Sequence, residues 1–408
     1  MAPASGVSVS EQPATLAVPP SLGQWIGPRL TATEIGAILF AGIVGIMFAG
    51  VGPLLLGGLQ QAGRLTATQL GQAGTVELLT MGLAAGLTGG IAGGRRLRAL
   101  AIFCGAATAA LNLLTMWTHG WGLVLIRGIN GLPSGALIWL VTAMIVRTPR
   151  PERWSAIYLT VQTLAQLLVV AALGLAMRGA GDVDLGFGLL AALGIATALA
   201  GFVVPRSFAP LPVAPDEPSG MPSPRGLFAL AAPFCFNAAI LSVWIYIDPL
   251  SRQAGHPAHT ADLAVSLSLG AQVMGGLLAT VLAGRVSWVA VLTISLAVMT
   301  AFMGVYGLLP SATIFLAVSA AFGFLWMFAS PFMTPLVIDA DPTRRAAVYG
   351  SGVALLGCSA GPFIASLVVN DADVRGCASL GAGLMLAAIA IVVTSRLTHP
   401  RAITTPVA

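Results

Sequence analysis

Long apolar runs separated by short polar stretches dominate the 408-residue chain. A helix rises ~1.5 Å per residue, so ~20 apolar residues cross the ~30 Å hydrocarbon core of a bilayer. Runs of that length recur near positions 34–57, 69–92, 99–117, 121–146, 155–177, 185–204, 226–249, 262–283, 288–309, 312–337, 346–369 and 376–397. The pattern predicts an all-α membrane protein with twelve transmembrane helices. Composition agrees: 57% of the residues are hydrophobic and 8% charged, more apolar surface than a water-soluble domain can hide.

Charge then orients the chain. All 19 basic residues are arginine. With the N-terminus inside, fourteen of them fall on the cytoplasmic side, four (Arg64, Arg178, Arg252 and Arg375) fall outside, and Arg127 lies within a span. This positive-inside bias puts both termini in the cytoplasm of a cell whose plasma (inner) membrane the protein spans. The net charge of +5 therefore reports topology, not a nucleic-acid partner. Residues 1–30, rich in Pro, Ser and Ala, lack the basic-then-apolar order of a signal peptide and read as a disordered cytoplasmic tail. Residues 205–225, Pro-rich and polar, read as a flexible linker, and residues 399–408 as a C-terminal tail. Cys104, Cys235, Cys358 and Cys377 have no paired spacing and read as small apolar packers.

An internal repeat divides the chain. "RPERWSAIYL" after the fourth run and "DPTRRAAVYG" after the tenth share P-x-R-x-[SA]-A-[IV]-Y, with Pro151 and Tyr158 matching Pro342 and Tyr349 at an offset of 191. Ala62-Gly63 matches Ala254-Gly255 at 192, and Arg95 matches Arg285 at 190. An offset that covers six helices preserves orientation, so the halves are parallel repeats: a six-helix bundle over 31–204 and a second over 226–398.

In this respect the chain resembles the major facilitator superfamily. The superfamily's fourth-helix motif R-x-x-[QN]-G is matched by Arg127-Gly128-Ile129-Asn130-Gly131. Its loop between helices two and three, G-x-x-x-D-R-x-G-R-R, keeps only Gly94-Arg95-Arg96; Ile91 and Ala92 occupy the acidic and first basic positions. The resemblance implies a gating role for Gly94, Arg95, Arg96 and, through the repeat, Arg285. The fifth-helix Gly-Pro signature of drug/proton antiporters is missing, although Gly361-Pro362 stands in the eleventh run. The resemblance also implies that helices 1, 4, 7 and 10 line a central cavity and that the fourth-helix arginine serves proton-coupled transport.

Charges at membrane depth are costly enough to mark functional candidates. Arg127 is the seventh residue of its run, ~9 Å from the outer end. Glu77, the ninth residue of a run with the same direction, lies at similar depth. Either the two pair, so that protonating the glutamate frees the arginine, or Arg127 snorkels to the outer headgroups. Asp248, before Pro249, is either a terminal acid facing water or a proton or substrate carboxylate. Asp339, Asp341, Arg344 and Arg345 read as loop charges or salt-bridge members. The cavity helices supply Asn237, Trp244 and Tyr246, Trp139, and Trp326 and Phe328; Gln162 and Gln166 add amides one turn apart. Such a lining suits a small amphipathic or aromatic organic solute. Gly131/Gly135 and Gly357/Gly361, each four apart, read as close-packing positions.

Without lysine no Walker-type phosphate loop exists, so the chain does not hydrolyse ATP by that means. No catalytic constellation, metal cluster or cofactor motif appears either, and no enzyme is expected. The expectation is a monomeric secondary transporter in the lipid bilayer, with a small-molecule substrate and protons as the coupling ion. Export and uptake stay open. The rival is a non-transporting membrane sensor or assembly partner of the same fold.

Overall fold

The computed structural model describes residues 24–180, 183–212, 221–257, 259–370 and 373–397. The first half contains α1 (Ala32–Gln61), α2 (Ala67–Ala92), α3 (Leu97–Thr115), α4 (Gly120–Ile145), α5 (Pro151–Ala180) and α6 (Asp184–Ala200). The second contains α7 (Pro224–Trp244), a short α8 (Ile247–Gln253), α9 (His259–Leu282), α10 (Trp288–Gly307), α11 (Ala312–Ala329), α12 (Met333–Ala340), α13 (Gly350–Ser366) and α14 (Gly376–Leu397). Eleven helical stretches among the described residues are long and apolar enough to cross a membrane, and α6 is a shorter apolar helix. Together they account for the twelve predicted runs.

Local chemistry sets the boundaries. Thr31 and Thr66 close capping boxes with Glu34 and Gln69, starting α1 and α2. The tenth run is broken: α11 passes through a 3-10 turn at Ser330–Phe332 into α12. Pro331 has no N–H for the helical ladder, and Pro335 sits in the first turn of α12, where none is needed.

One core cluster lies mainly in the first half and reaches across to Leu230, Val337 and Val348, and a second lies mainly in the other half and takes in Ala156. In the first, α4 packs on α1, α2 and α3, and α6 packs on α3; in the second, α11 packs on α9, and α13 and α14 pack on α7. The halves meet where α2 touches α13 and where α5 touches α9, with a small apolar cluster of Ile46, Met81, Ala85, Ile138 and Leu355 between them. Side chains such as Phe103 and Ile91 remain exposed on the outer face, as expected where lipid is the solvent.

Two segments read as loose are packed where they are described. Within 24–30, Ile26 N–H donates to the Arg147 carbonyl (2.9 Å), and Gly27 lies against Ala209. Within 205–212, Arg147 donates through Nε to the Ala209 carbonyl (3.0 Å) and lies over the Phe208 ring, 5.1 Å from its centroid. A buried guanidinium needs acceptors and a π face, and these segments supply them. Residues 1–23, 213–220 and 398–408, which hold most of both tails and part of the linker, lie outside the described residues.

Candidate functional site

The site begins with glycine. Cβ atoms at Gly131 and Gly135 would come within 2.4 Å of the Glu77 carbonyl oxygen and 2.1 Å of the Met81 carbonyl oxygen, so only hydrogen at these positions lets α4 lie directly on α2. Thr80 Oγ1 adds a cross-helix bond to the Gly128 carbonyl (2.7 Å). That approach brings together the two charges that the sequence places at equal depth.

Arg127 and Glu77 are both fully buried, so the snorkelling alternative is excluded. The guanidinium forks onto the carboxylate: Nε donates to Oε2 at 2.8 Å, and Nη2 donates to Oε1. Nη1 donates to Asn112 Oδ1 (2.9 Å), and Asn130 Nδ2 donates to Glu77 Oε1 (2.9 Å). The Arg127 Cζ lies 4.0 Å from the Phe48 ring centroid and 5.6 Å from that of Phe187. Five helices, α1, α2, α3, α4 and α6, thus converge on one guanidinium inside the first bundle. A bidentate pair with amide support is the arrangement that offsets the desolvation of two buried charges. Asn130 Oδ1 is buried with no partner among the described residues, which leaves a spare acceptor beside the carboxylate.

Sequence reasoning missed Asn112, Phe48 and Phe187. Asn130 occupies the [QN] position of the fourth-helix motif, and that signal was available. Asn112 was a lone amide in an apolar run, which reads as packing.

Asp248 stands apart. It opens α8 and pairs with Arg252 one turn on, with side chains 48% and 70% exposed. Pro249 follows it in the first turn of α8, and the exposed pair favours the terminal-acid alternative.

The predicted cavity residues divide. Trp244 and Trp326 meet edge to face with centroids 5.9 Å apart, and Phe328 stacks on Phe324 and lies tilted against Phe332, at 5.8 Å from each. Trp244, Trp326 and Phe328 are partly exposed, as are Asn237, Tyr246 and Gln162. Asn237 donates to the Pro233 carbonyl (2.8 Å). Trp139 departs from the expected lining: it is buried, and α2 comes so close that a Cβ on Gly89 would lie 2.9 Å from its indole nitrogen. Gln166 is partly buried and spends its amide on the Ile46 carbonyl (3.0 Å).

The predicted gating loop lies against residues 207–208. Gly94 takes a positive φ of 74° and accepts from Phe208 N–H (2.9 Å), while Arg95 forms a backbone bridge with Ser207. Arg95, Arg96 and Arg285 are exposed. The arginine that reaches across the halves is Arg344, which is buried and donates through Nη1 to the carbonyls of Val146 (2.8 Å) and Thr148 (3.0 Å) at the end of α4. Asp341, fully buried, caps the same loop by accepting from Thr343 Oγ1 (2.6 Å) and Ala346 N–H (2.8 Å). These acids and arginines serve the loop and the seam, as their positions outside the runs suggested. Gly357 and Gly361 do for α13 on α7 what Gly131 and Gly135 do for α4 on α2.

Sequence comparison with known families and with curated proteins finds no match. Solved structures do match. A crystal structure of the transporter FucP in the outward conformation aligns with a TM-score of 0.71 at 15% identity, covering 89% of this chain and 98% of that one. The human organic anion transporter MFSD10 (TETRAN) aligns at 0.67 and 16%, covering 88% and 99%. The proton:xylose symporter XylE, bound to 6-bromo-6-deoxy-D-glucose, aligns at 0.68 and 12%, covering 90% and 96%. The chain is thus an integral, multi-pass membrane protein built as two helical bundles. Its fold is that of the major facilitator superfamily.

Proposed function

We propose that this protein is a secondary active transporter that moves a small organic solute by rocking two six-helix bundles, coupled to protons through Glu77 and Arg127. The carrying observation is the fully buried Arg127–Glu77–Asn112–Asn130 cluster inside this fold. A charged Glu77 holds Arg127. A protonated one withdraws the counter-charge, and the five helices around the guanidinium must then repack or hydrate it. Asn130 suits both states, since an amide donates to a carboxylate and, turned over, accepts from a carboxylic acid. Neighbours whose names include a fucose:proton symporter and a proton:xylose symporter support proton coupling.

The seam between the halves supports alternating access. The contacts between the halves that involve Arg344, α2 over 82–89, Val348 and the first turns of α13 lie at the arginine-rich end, which we take as cytoplasmic. Closure there supports an outward-facing state. Trp244, Trp326, Phe328, Asn237 and Gln162 are the proposed solute contacts. Arg127 is consumed by Glu77 and Asn112, so it offers a solute carboxylate no free edge while the pair is closed.

The test is flux into proteoliposomes under an imposed pH gradient, with a panel of neutral, aromatic and amphipathic solutes. Glu77→Gln is expected to abolish gradient-driven accumulation and spare counterflow. Absence of flux for every solute overturns transport; normal accumulation by the variant removes Glu77 from coupling.

A further inference from the structure

An open groove of about 660 Å³ lies at the end of the first bundle where α1 and α5 both begin. Its rim carries Arg29, Arg150 and Arg153, all exposed. None of the ion pairs found among the described residues involves these three. Of the nearest acids in sequence, the Glu34 carboxylate accepts from Thr31 N–H (2.8 Å), while Glu152 and Arg150 both reach toward Gly284 of the other half, their side chains 3.3 and 3.8 Å from where a Cβ there would stand. The groove's inner wall is apolar, with Leu30, Ile35 and Ile157 continuous with the membrane-crossing faces of α1 and α5. Trp25 and Trp154 also line it, each within four residues of a rim arginine.

Three unpaired guanidinium groups above an aliphatic wall, with indoles in the same lining, match a molecule that has an anionic head and a hydrocarbon tail. A free anion would leave the apolar wall unused. A nucleic acid would not reach a wall that runs into the bilayer. We propose that this groove is a binding site for an anionic glycerophospholipid: the phosphate lies among Arg29, Arg150 and Arg153, the indoles lie at the glycerol level, and one acyl chain follows Leu30, Ile35 and Ile157. The site is separate from the Glu77–Arg127 cluster and does not depend on transport.

The test uses the purified full chain in a neutral detergent, titrated with phosphatidylglycerol or phosphatidylcholine and read by native mass spectrometry. The expected result is one tightly held phosphatidylglycerol that phosphatidylcholine does not replace and that inorganic phosphate in large excess does not displace. Each arginine near a headgroup contributes about fivefold in affinity, so the Arg29→Ala/Arg150→Ala/Arg153→Ala variant should bind that lipid about a hundredfold more weakly. A control triple variant at exposed arginines elsewhere, Arg95→Ala/Arg206→Ala/Arg396→Ala, should bind as the wild type does. Wild-type binding by the first variant overturns the site, as does equal weakening in the control. Displacement by inorganic phosphate alone would make the occupant a free anion, which also overturns the proposal.

Discussion

Replacing Glu77 with leucine leaves the Arg127 guanidinium buried among Phe48, Phe187 and Asn112, stripped of both its bonds to the carboxylate, and leaves Asn130 Nδ2 without its acceptor. Removing one partner of a buried pair costs about 3–5 kcal/mol, because the other charge stays desolvated. Glu77→Gln retains one acceptor oxygen and should fall at the lower end, ~3 kcal/mol. Arg127→Met should cost less than Glu77→Leu, since an orphaned carboxyl can take up a proton and become neutral. Glu77→Leu/Arg127→Met together remove both charges and fill the space with aliphatic volume, so the double variant should lie within ~1 kcal/mol of wild type or above it. The cycle then yields a coupling of about 3 kcal/mol, read by reversible denaturation in mixed micelles. Single variants that each cost under ~1 kcal/mol and add in the double would refute a tightly coupled buried pair. The folded double variant also separates support from mechanism: it should still exchange solute but no longer accumulate it against a pH gradient. Gradient-driven accumulation by the double variant would sink the coupling role.

Three further outcomes follow from named contacts. Gly131→Ala places a methyl 2.0 Å from Thr80 Oγ1 and should destabilise the protein by about 1–3 kcal/mol, whereas Gly90→Ala, with nothing within 4 Å, should be neutral or stabilising by up to ~1 kcal/mol in the same denaturation assay. Arg344 holds a positive φ of 62°, so Arg344→Gly relaxes the backbone while deleting both bonds to α4; labelling of a cysteine placed at the buried Val348, in a background without native cysteines, should rise several-fold. Hydrogen bonds from Arg375 and Gln253 hold the Asp373 carboxyl well below the usual range. Its folded pKa is depressed, so the link to Gln253 is intact above the unfolded value of ~3.9 and loosens only as pH falls through the lower folded value; a carboxyl titration by NMR with a midpoint at or above ~3.9 would contradict this.

The helices were legible because each is an apolar run of crossing length, and the halves because the punctuation between runs repeats. The Arg127–Glu77 pair was legible because α2 and α4 run in the same direction, so counting residues from the outer end compares depths directly. Asn112 was not: α3 runs the other way, and nothing in an apolar stretch says which face an amide presents. Trp139 read as a cavity aromatic because indole composition cannot distinguish lining from core; Gly89 decides it by letting α2 close over the ring. Residues 205–212 read as tether because proline suggests an extended chain, yet Phe208 finds the buried Arg147. Such a pairing depends on tertiary approach and leaves no periodic trace.

The repeat supplies its own control for the buried charge. Adding the offset of 191 carries Arg127 to Val318 and Glu77 to Ser268, both buried. The second bundle meets the same packing problem with Gly323 against the Ser268 carbonyl and Gly275 against that of Phe324. Its interior is held by Phe315 and Phe322 edge-on to Tyr306, whose hydroxyl bonds Ser319 (2.9 Å). At the positions that correspond to Arg127 and Glu77 the second bundle therefore closes on neutral side chains, without an ion pair. Desolvating Glu77 and Arg127 is not needed to hold helices together, and apolar residues of equal volume would hold them at least as well. What a neutral core cannot do is change its internal forces when one proton arrives. That difference between two halves of one chain is the strongest physical argument that the cluster serves coupling.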